Sequence, residues 1–266
     1  MSSAIVVDTT AQTSTQNCDV SILGYKSLLP TSSVSGANED PVFPFTNALD
    51  YRDNTKYSPN IDSGSVTIVF SQSSSTNVNY FAFAIHNSQD AGLTGTLEVD
   101  SGSGFEVVYE FSGVSNNKPV LFYFGDKSSA GQRLTLNFTS KLYIGSINIG
   151  DAIVFSRPPS LGYQPANTAP LDEVEQFTTE GNNFIVGRRL SRGFQDKGAF
   201  RFLSFEDASW FEEYQNHVLN SKTLYFKWNN ETSQATYGLQ NPKNLTKPSY
   251  VTSFHFDFSF DISGYA

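Results

Sequence analysis

The sequence predicts an all-β protein, with an N-terminal antiparallel jelly roll and a C-terminal β-sandwich carrying one α-helix. Three observations lead there. Aromatic residues make up 14% of the 266, with 23 Phe and 13 Tyr, types that suit pleated surfaces. Short apolar or alternating runs recur between Gly-, Ser- and Asn-rich breaks across roughly residues 66–149, with almost no helical periodicity between them. A stretch with four prolines, 156–170, then separates this region from a differently patterned one.

Taken in order, residues 1–19 form a Ser/Thr/Gln-rich N-terminal arm that an oligomeric neighbour would hold in place. Val20–Leu23 is a short strand, and Thr31–Asp40 reads as a turn-rich loop. Asn47–Pro59 has two readings. It is a surface loop pinned by Leu49 and Tyr57, or a loop of oxygen ligands in which Asp50 and Asp53 meet a calcium ion. Strands follow at about 66–70, 80–86, 94–100, 105–111, 119–124, 133–138 and 142–149. The Ser101-Gly-Ser-Gly104 break makes a hairpin of two of them. Tyr80–Asn87 organises the set: its unbroken run of apolar residues ends at His86-Asn87, as expected of a strand buried on both faces.

The stretch 156–170 reads as a semi-rigid linker, giving domains at 20–155 and 171–266. Beyond it, Val174–Thr178, Asn183–Gly187 and Gly198–Phe205 are strand candidates, and Gly187–Gly193 reads as a basic turn. Trp210, Tyr214 and Val218 recur at helical spacing, with Phe211 beside them, which predicts one helix over 206–218. Ser204 with Asp207 resembles a capping box at its start, and Glu206, Glu212 and Glu213 fall on its solvated face. Lys222–Trp228 and Tyr250–Ile262 complete the set, the latter with Phe254, Phe256, Phe258 and Phe260 at period two.

The chemistry points away from catalysis. The formal net charge is −9 and no Lys/Arg run exceeds two residues, which excludes a nucleic-acid footprint. Cys18 is the only cysteine, so a chain-internal disulfide and a multi-thiolate zinc site are excluded. No segment is apolar enough to span a membrane as a helix, and no signal-peptide pattern opens the chain, so synthesis and folding in a reducing cytosol are expected. Three Asn-x-Thr triplets, beginning at Asn137, Asn230 and Asn244, arise readily by chance in so Asn/Thr-rich a chain. No metalloprotease, nucleophile-elbow or phosphate-loop motif occurs, and no two carboxylates are paired by spacing. Of the histidines, His86 is either a hydrogen-bonded sheet-end residue or a ligand contact at a loop rim. His217 suits a helix C-terminus as a cation, and His255 sits opposite the Phe ladder. Arg188, Arg189 and Arg192 are a solvated turn or an interface to an acidic neighbouring subunit.

Two resemblances add to this. Asn47-Ala-Leu-Asp50, Thr55-Lys-Tyr-Ser-Pro59, Val66–Phe70 and the Phe83-Ala-Ile-His-Asn87 ending together resemble the discoidin-like galactose-binding jelly roll over residues 20–155, including copies in bacteriophage tail proteins. Tyr57 stands where that family commonly has Trp, and Tyr51 where it has Gly. The strand–helix–strand order of 171–266 resembles the sandwich of siphophage distal-tail and tail-tip proteins. The resemblances imply a non-enzymatic structural component of a phage tail tip or baseplate, located in the virion. It would assemble with other tail proteins and with copies of itself in a ring, and would touch host surface glycans. Tyr51, Tyr57 and Phe43 are the aromatic candidates for a sugar, with His86 and Asn87 at the rim. A free-standing carbohydrate-binding module and a capsid or fibre accessory protein are the alternatives.

Overall fold

The computed structural model describes residues 20–50, 54–114, 116–161, 163, 171–178, 184–204, 210–220, 222–229, 234–240, 242–245, 249–252 and 255–265. The fold is all-β with one α-helix. Its strands are β1 (Ile22–Ser27), β2 (Ser33–Ser35), β3 (Gly64–His86), β4 (Thr94–Asp100), β5 (Phe105–Ser112), β6 (Val120–Phe138) and β7 (Ile144–Val154). The second half holds β8 (Leu171–Thr178), β9 (Phe184–Ser204), the helix α1 (Phe211–Leu219), β10 (Leu224–Lys227), β11 (Thr236–Gln240), β12 (Ser249–Thr252) and β13 (His255–Tyr265). Hydrogen bonding runs without a break through β5-β4-β6-β3-β7-β1-β10-β11-β13-β9-β8, with β2 on β3 and β12 on β13.

The strand pattern explains why β3 looks different at its two ends. From Val66 to Phe70 it alternates: Val66, Ile68 and Phe70 are buried while Ser65 and Thr67 face out. From Tyr80 to Ala84 every residue is buried, because the two faces meet different clusters. Phe81 and Phe83 pack with Phe111 and Phe122 in the first core. Tyr80, Ala82 and Ala84 turn the other way and meet Leu121, Tyr225 and Tyr237. A run of apolar residues without alternation marks the place where a second layer covers the sheet. The two-sided burial expected of Tyr80–Asn87 is therefore present, with β6 and β7 as its flanking strands.

Several expected boundaries move. The strands expected at 66–70 and 80–86 are one strand, as are those at 119–124 and 133–138. The polar runs between them pair with each other across register shifts, such as that between Ser71 and Thr76. Such exposed polar pairing has no apolar period to reveal it. The loop expected at Thr31–Asp40 contains the short β2, and the first strand lies at Ile22–Ser27 rather than Val20–Leu23. The basic run Gly187–Gly193 is part of β9, where Glu175 faces Arg188, Val174 faces Arg189 and Asp172 faces Arg192 along the backbone register. It is not a turn. Ser204 ends β9, and the residue before the helix is Trp210, with no side-chain cap, so Ser204 is not the helix cap; Asp207 lies outside the described residues. The strand expected over Tyr250–Ile262 is a hairpin of β12 and β13, with Phe254 outside the described residues.

The helix spans Phe211–Leu219, starting after the expected 206, and its expected apolar face is present. Tyr214 and Val218 are buried, and Trp210 meets Phe258 edge-on at 5.1 Å. They join Phe200, Phe226, Phe256 and Phe260 in a second core that also takes Leu23, Tyr25, Ile153 and Phe155 from the first half of the chain. The halves thus share side chains as well as backbone. β1 pairs with β7 on one side and β10 on the other, and Ala235 N–H donates to the Pro119 carbonyl at 2.9 Å.

Lys227 sits at this junction, 4% exposed, its Nζ donating to the Leu121 carbonyl at 3.2 Å. Burial lowers its pKa from the ordinary lysine value to about 8. Between that value and the ordinary lysine range the unfolded chain holds a proton that the folded chain has released, so stability rises with pH. Urea unfolding is expected to show a gain of about 1 kcal/mol between pH 8 and pH 9, below the range where the buried tyrosines, held above their ordinary values, ionise in the unfolded chain and oppose it. Lys227→Met should flatten it. An unchanged alkaline rise in that variant would contradict the assignment.

Candidate functional site

The loop rim of the first half brings together residues far apart in sequence. The turn Asp40–Phe43 closes on itself through Phe43 N–H to the Asp40 carbonyl at 2.9 Å. It is clipped to Ser58 by two further backbone bonds, Asp40 N–H to Ser58 O at 3.0 Å and Ser58 N–H to Phe43 O at 3.1 Å. The next residue, Tyr57, exchanges backbone bonds with Ile144 at 2.8 and 3.0 Å. This chain of pairings sets Phe43 beside Tyr143. Their rings meet edge to face at 5.7 Å, and both are half-buried.

Lys141 stands next to this ring pair. Its Nζ donates to the Pro59 carbonyl at 2.9 Å and lies 3.8 Å from Asp40 Oδ2 and 3.6 Å from Asp62 Oδ1. The rim therefore offers an aromatic pair, one ammonium and two carboxylates, with Val42 exposed at the tip of the turn. Such a set can hold a polar ligand by stacking and hydrogen bonding. Among its described residues no nucleophile is paired with a base, the minimum for covalent catalysis.

Of the described residues singled out from sequence, only Phe43 lines this rim. Tyr57 is fully buried: its ring packs on Phe45 at 5.0 Å and its hydroxyl donates to the Ala37 carbonyl at 2.6 Å. Burial, with the Glu39 charge nearby, raises its pKa. Tyr57 is a core residue and presents no ring to a sugar, because the loop closes over it. His86 is also used internally. Its Nε2–H donates to the Lys118 carbonyl at 2.8 Å, its Nδ1 accepts from Ser88 N–H, and burial lowers its pKa to about 4. Asn87 spans Lys141 O and Tyr143 N–H at 2.8 and 2.7 Å, which fixes the segment leading into β7 that carries both rim residues. Asn87 positions the site from behind.

Asp50 accepts Thr55 Oγ1–H at 2.9 Å, and Tyr51 and Asp53 lie outside the described residues. Among the described residues no cluster of three or more His, Cys, Asp or Glu is placed to hold a metal ion. His217 is buried and neutral rather than a helix-end cation: its ring packs on Tyr25, its Nε2 bonds the Thr223 carbonyl, and burial lowers its pKa to about 4. Glu213, read as solvated, pairs with Lys26 at 3.0 Å. His255 meets Phe202 edge-on at 6.3 Å.

Sequence reasoning misses Tyr143 because it falls inside the strand expected at 142–149, and Lys141 because it stands just before that strand with no motif around it. Asp40 and Asp62 were scattered loop acids. The only available signal was the break Thr139-Ser-Lys141 before an aromatic.

No protein-family model and no curated protein matches the chain. Among solved structures, it is similar to chitosan-binding module 1 of a chitosanase/glucanase from Paenibacillus sp. IK-5. There the identity is 17%, with 47% of this chain and 99% of that chain covered and a TM-score of 0.40. The Clostridium perfringens module CpGH89CBM32-5, solved with GalNAc-β-1,3-galactose, gives 14%, 47%, 100% and 0.40. A GH29 fucosidase of Ruminococcus gnavus in complex with fucose gives 12% identity and 0.40, and only 26% of its length is covered.

Proposed function

We propose that this protein is a non-catalytic glycan-binding protein. The Phe43–Tyr143 rim takes the apolar face of a galactose-type sugar, and Lys141, Asp40 and Asp62 take its hydroxyls. The observation that carries this reading is the half-buried ring pair beside an ammonium flanked by two carboxylates. Ligand sites commonly combine an apolar surface with a few convergent polar groups in this way. Isothermal titration with galactose and galactose-bearing oligosaccharides, with and without calcium, tests it. Phe43→Ala and Tyr143→Ala should each weaken binding at least about tenfold, roughly 1.4 kcal/mol, while leaving the far-UV spectrum intact. Absence of binding by the wild type, or wild-type affinity in Tyr143→Ala, would overturn the reading.

A second reading, assembly in a phage tail, is favoured by one feature. β13 pairs with β9 only as far as Gly193, and from there to Phe184 β9 continues with β8 alone as a two-stranded ribbon. A ribbon of two strands is marginal by itself and gains stability from a further partner. In this reading the ribbon, with Arg188, Arg189 and Arg192 along it, contacts a neighbouring tail protein or a second copy in a ring. Light scattering of purified protein, alone and with tail proteins, distinguishes a ring-former from a strict monomer.

A further inference from the structure

A second cleft lies in the other half of the molecule, on the outward face of β9 and β13. Along β9 that face carries Lys197, Ala199 and Arg201; along β13 it carries Asp261 and Ser259. Ala199 lies opposite Ser259 in the register, while Lys197 lies opposite Asp261. The small Ala199–Ser259 pair therefore sits between the Lys197–Asp261 pair on one side and Arg201 on the other, and the floor drops there.

Ser160, Leu161 and Tyr163 close the third side. Ser160 N–H donates to the Ala199 carbonyl at 2.8 Å, on the β9 edge that β8 leaves uncovered. Tyr163 anchors the other end, its hydroxyl donating to the buried Asp196 at 3.0 Å and its ring meeting Phe226 edge-on at 6.0 Å. The resulting cleft has a volume of about 470 Å³. That falls within the range of about 300–1,000 Å³ typical of small-molecule sites.

Its charge is unusual for this chain. Lys197 lies 3.6 Å from Asp261, which also accepts Gln195 Nε2–H at 2.9 Å. Arg201, by contrast, is exposed and faces the cleft with no carboxylate paired to it among the described residues. An open guanidinium in a protein of net charge −9 favours an anion, and its fork matches a carboxylate in two parallel bonds. The hydroxyls of Ser160 and Ser259 suit the hydroxyl groups of a sugar.

We propose that this cleft binds an acidic sugar of the hexuronate class, its carboxylate on Arg201 and its hydroxyls over the Ala199–Ser259 floor. The site is separate from the Phe43–Tyr143 rim and does not depend on it. Ligand-observed NMR with galacturonate, galactose and inorganic phosphate as probes tests the assignment on the full chain. Galacturonate should bind, and galactose should bind at least tenfold more weakly at this site. Arg201→Gln should weaken galacturonate at least tenfold, and Ala199→Leu, which fills the floor but keeps the charge, should do the same. Tyr143→Ala should leave galacturonate binding unchanged. Raising the salt concentration should weaken it, since the contact is charged and exposed. No binding of galacturonate, equal binding of inorganic phosphate, or a wild-type response in Ala199→Leu would each overturn the proposal.

Discussion

Gly150→Ala is expected to destabilise the protein by about 3 kcal/mol or more, a large effect for adding one methyl group. Gly150 lies on β7 between two strands, opposite Tyr80 of β3 and Ser27 of β1. A Cβ there would stand 1.8 Å from the Lys26 carbonyl oxygen and 3.2 Å from the Ser27 Cα. Both are backbone atoms, so no rotamer change can relieve the clash. β1 must move, and β1 is the strand through which β7 connects to β10. The displacement would also disturb Leu28 N–H, which donates to Ile149 O at 2.9 Å, and Tyr80 Oη–H, which reaches Lys26 O at 3.4 Å. Both tryptophans belong to the second half, so their fluorescence reports on it while far-UV dichroism reports on the whole sheet. In the wild type the two signals should change together in urea. In Gly150→Ala the midpoint should fall and the two transitions should separate. Wild-type stability with coincident transitions would show that β1 does not couple the halves.

Acid should unfold the protein through its buried histidines. His86 and His217 are neutral when folded, each with a pKa lowered to about 4 by burial. In the unfolded chain they return to the ordinary value near ~6.5. A folded pKa below the unfolded one means that stability is fully present above the unfolded value and is lost as pH falls toward the folded one. The window is therefore about pH 6.5 to pH 4, where unfolding takes up close to two protons. Each histidine contributes on the order of 3 kcal/mol across it, comparable together with the whole stability of an ordinary domain. Glu98 and Glu213 act in the same direction, since bonds from Arg133 and Lys26 hold their carboxyls below the usual range. Urea midpoints measured from pH 7 to pH 4 should fall steeply, and His86→Gln and His217→Gln should each reduce the slope by about one proton. A flat profile in the wild type would contradict the burial of both rings.

How much of this was legible in the sequence depends on whether a residue's environment is made locally. The class of fold was legible because Phe and Tyr recur with period two along strands such as β13, and because Trp210, Tyr214 and Val218 form one helical face. The two-sided burial of Tyr80–Ala84 was legible for the same reason. The long β3–β6 pairing was not, since Ser71–Asn77 and Gly125–Ser129 are polar and carry no period. At the candidate site, Phe43 was legible as an aromatic in a turn-rich loop. Tyr143 and Lys141 were not, because they join it only through the pairings of Ser58 with Phe43 and of Tyr57 with Ile144. Tyr57 carried two readings, and burial decides between them: with Leu49 it pins the Asn47–Pro59 loop to the core, so its ring is not presented to a sugar.

The most direct test of the glycan-binding rim is a backbone-amide NMR titration of the wild type with a galactose-terminated oligosaccharide. Shift changes should concentrate at Asp40, Val42, Phe43, Asn60–Asp62 and Lys141–Tyr143, and should vanish in Tyr143→Ala. Saturable changes elsewhere that survive in Tyr143→Ala, or no changes at millimolar sugar, would show that this rim is not where the protein meets a glycan.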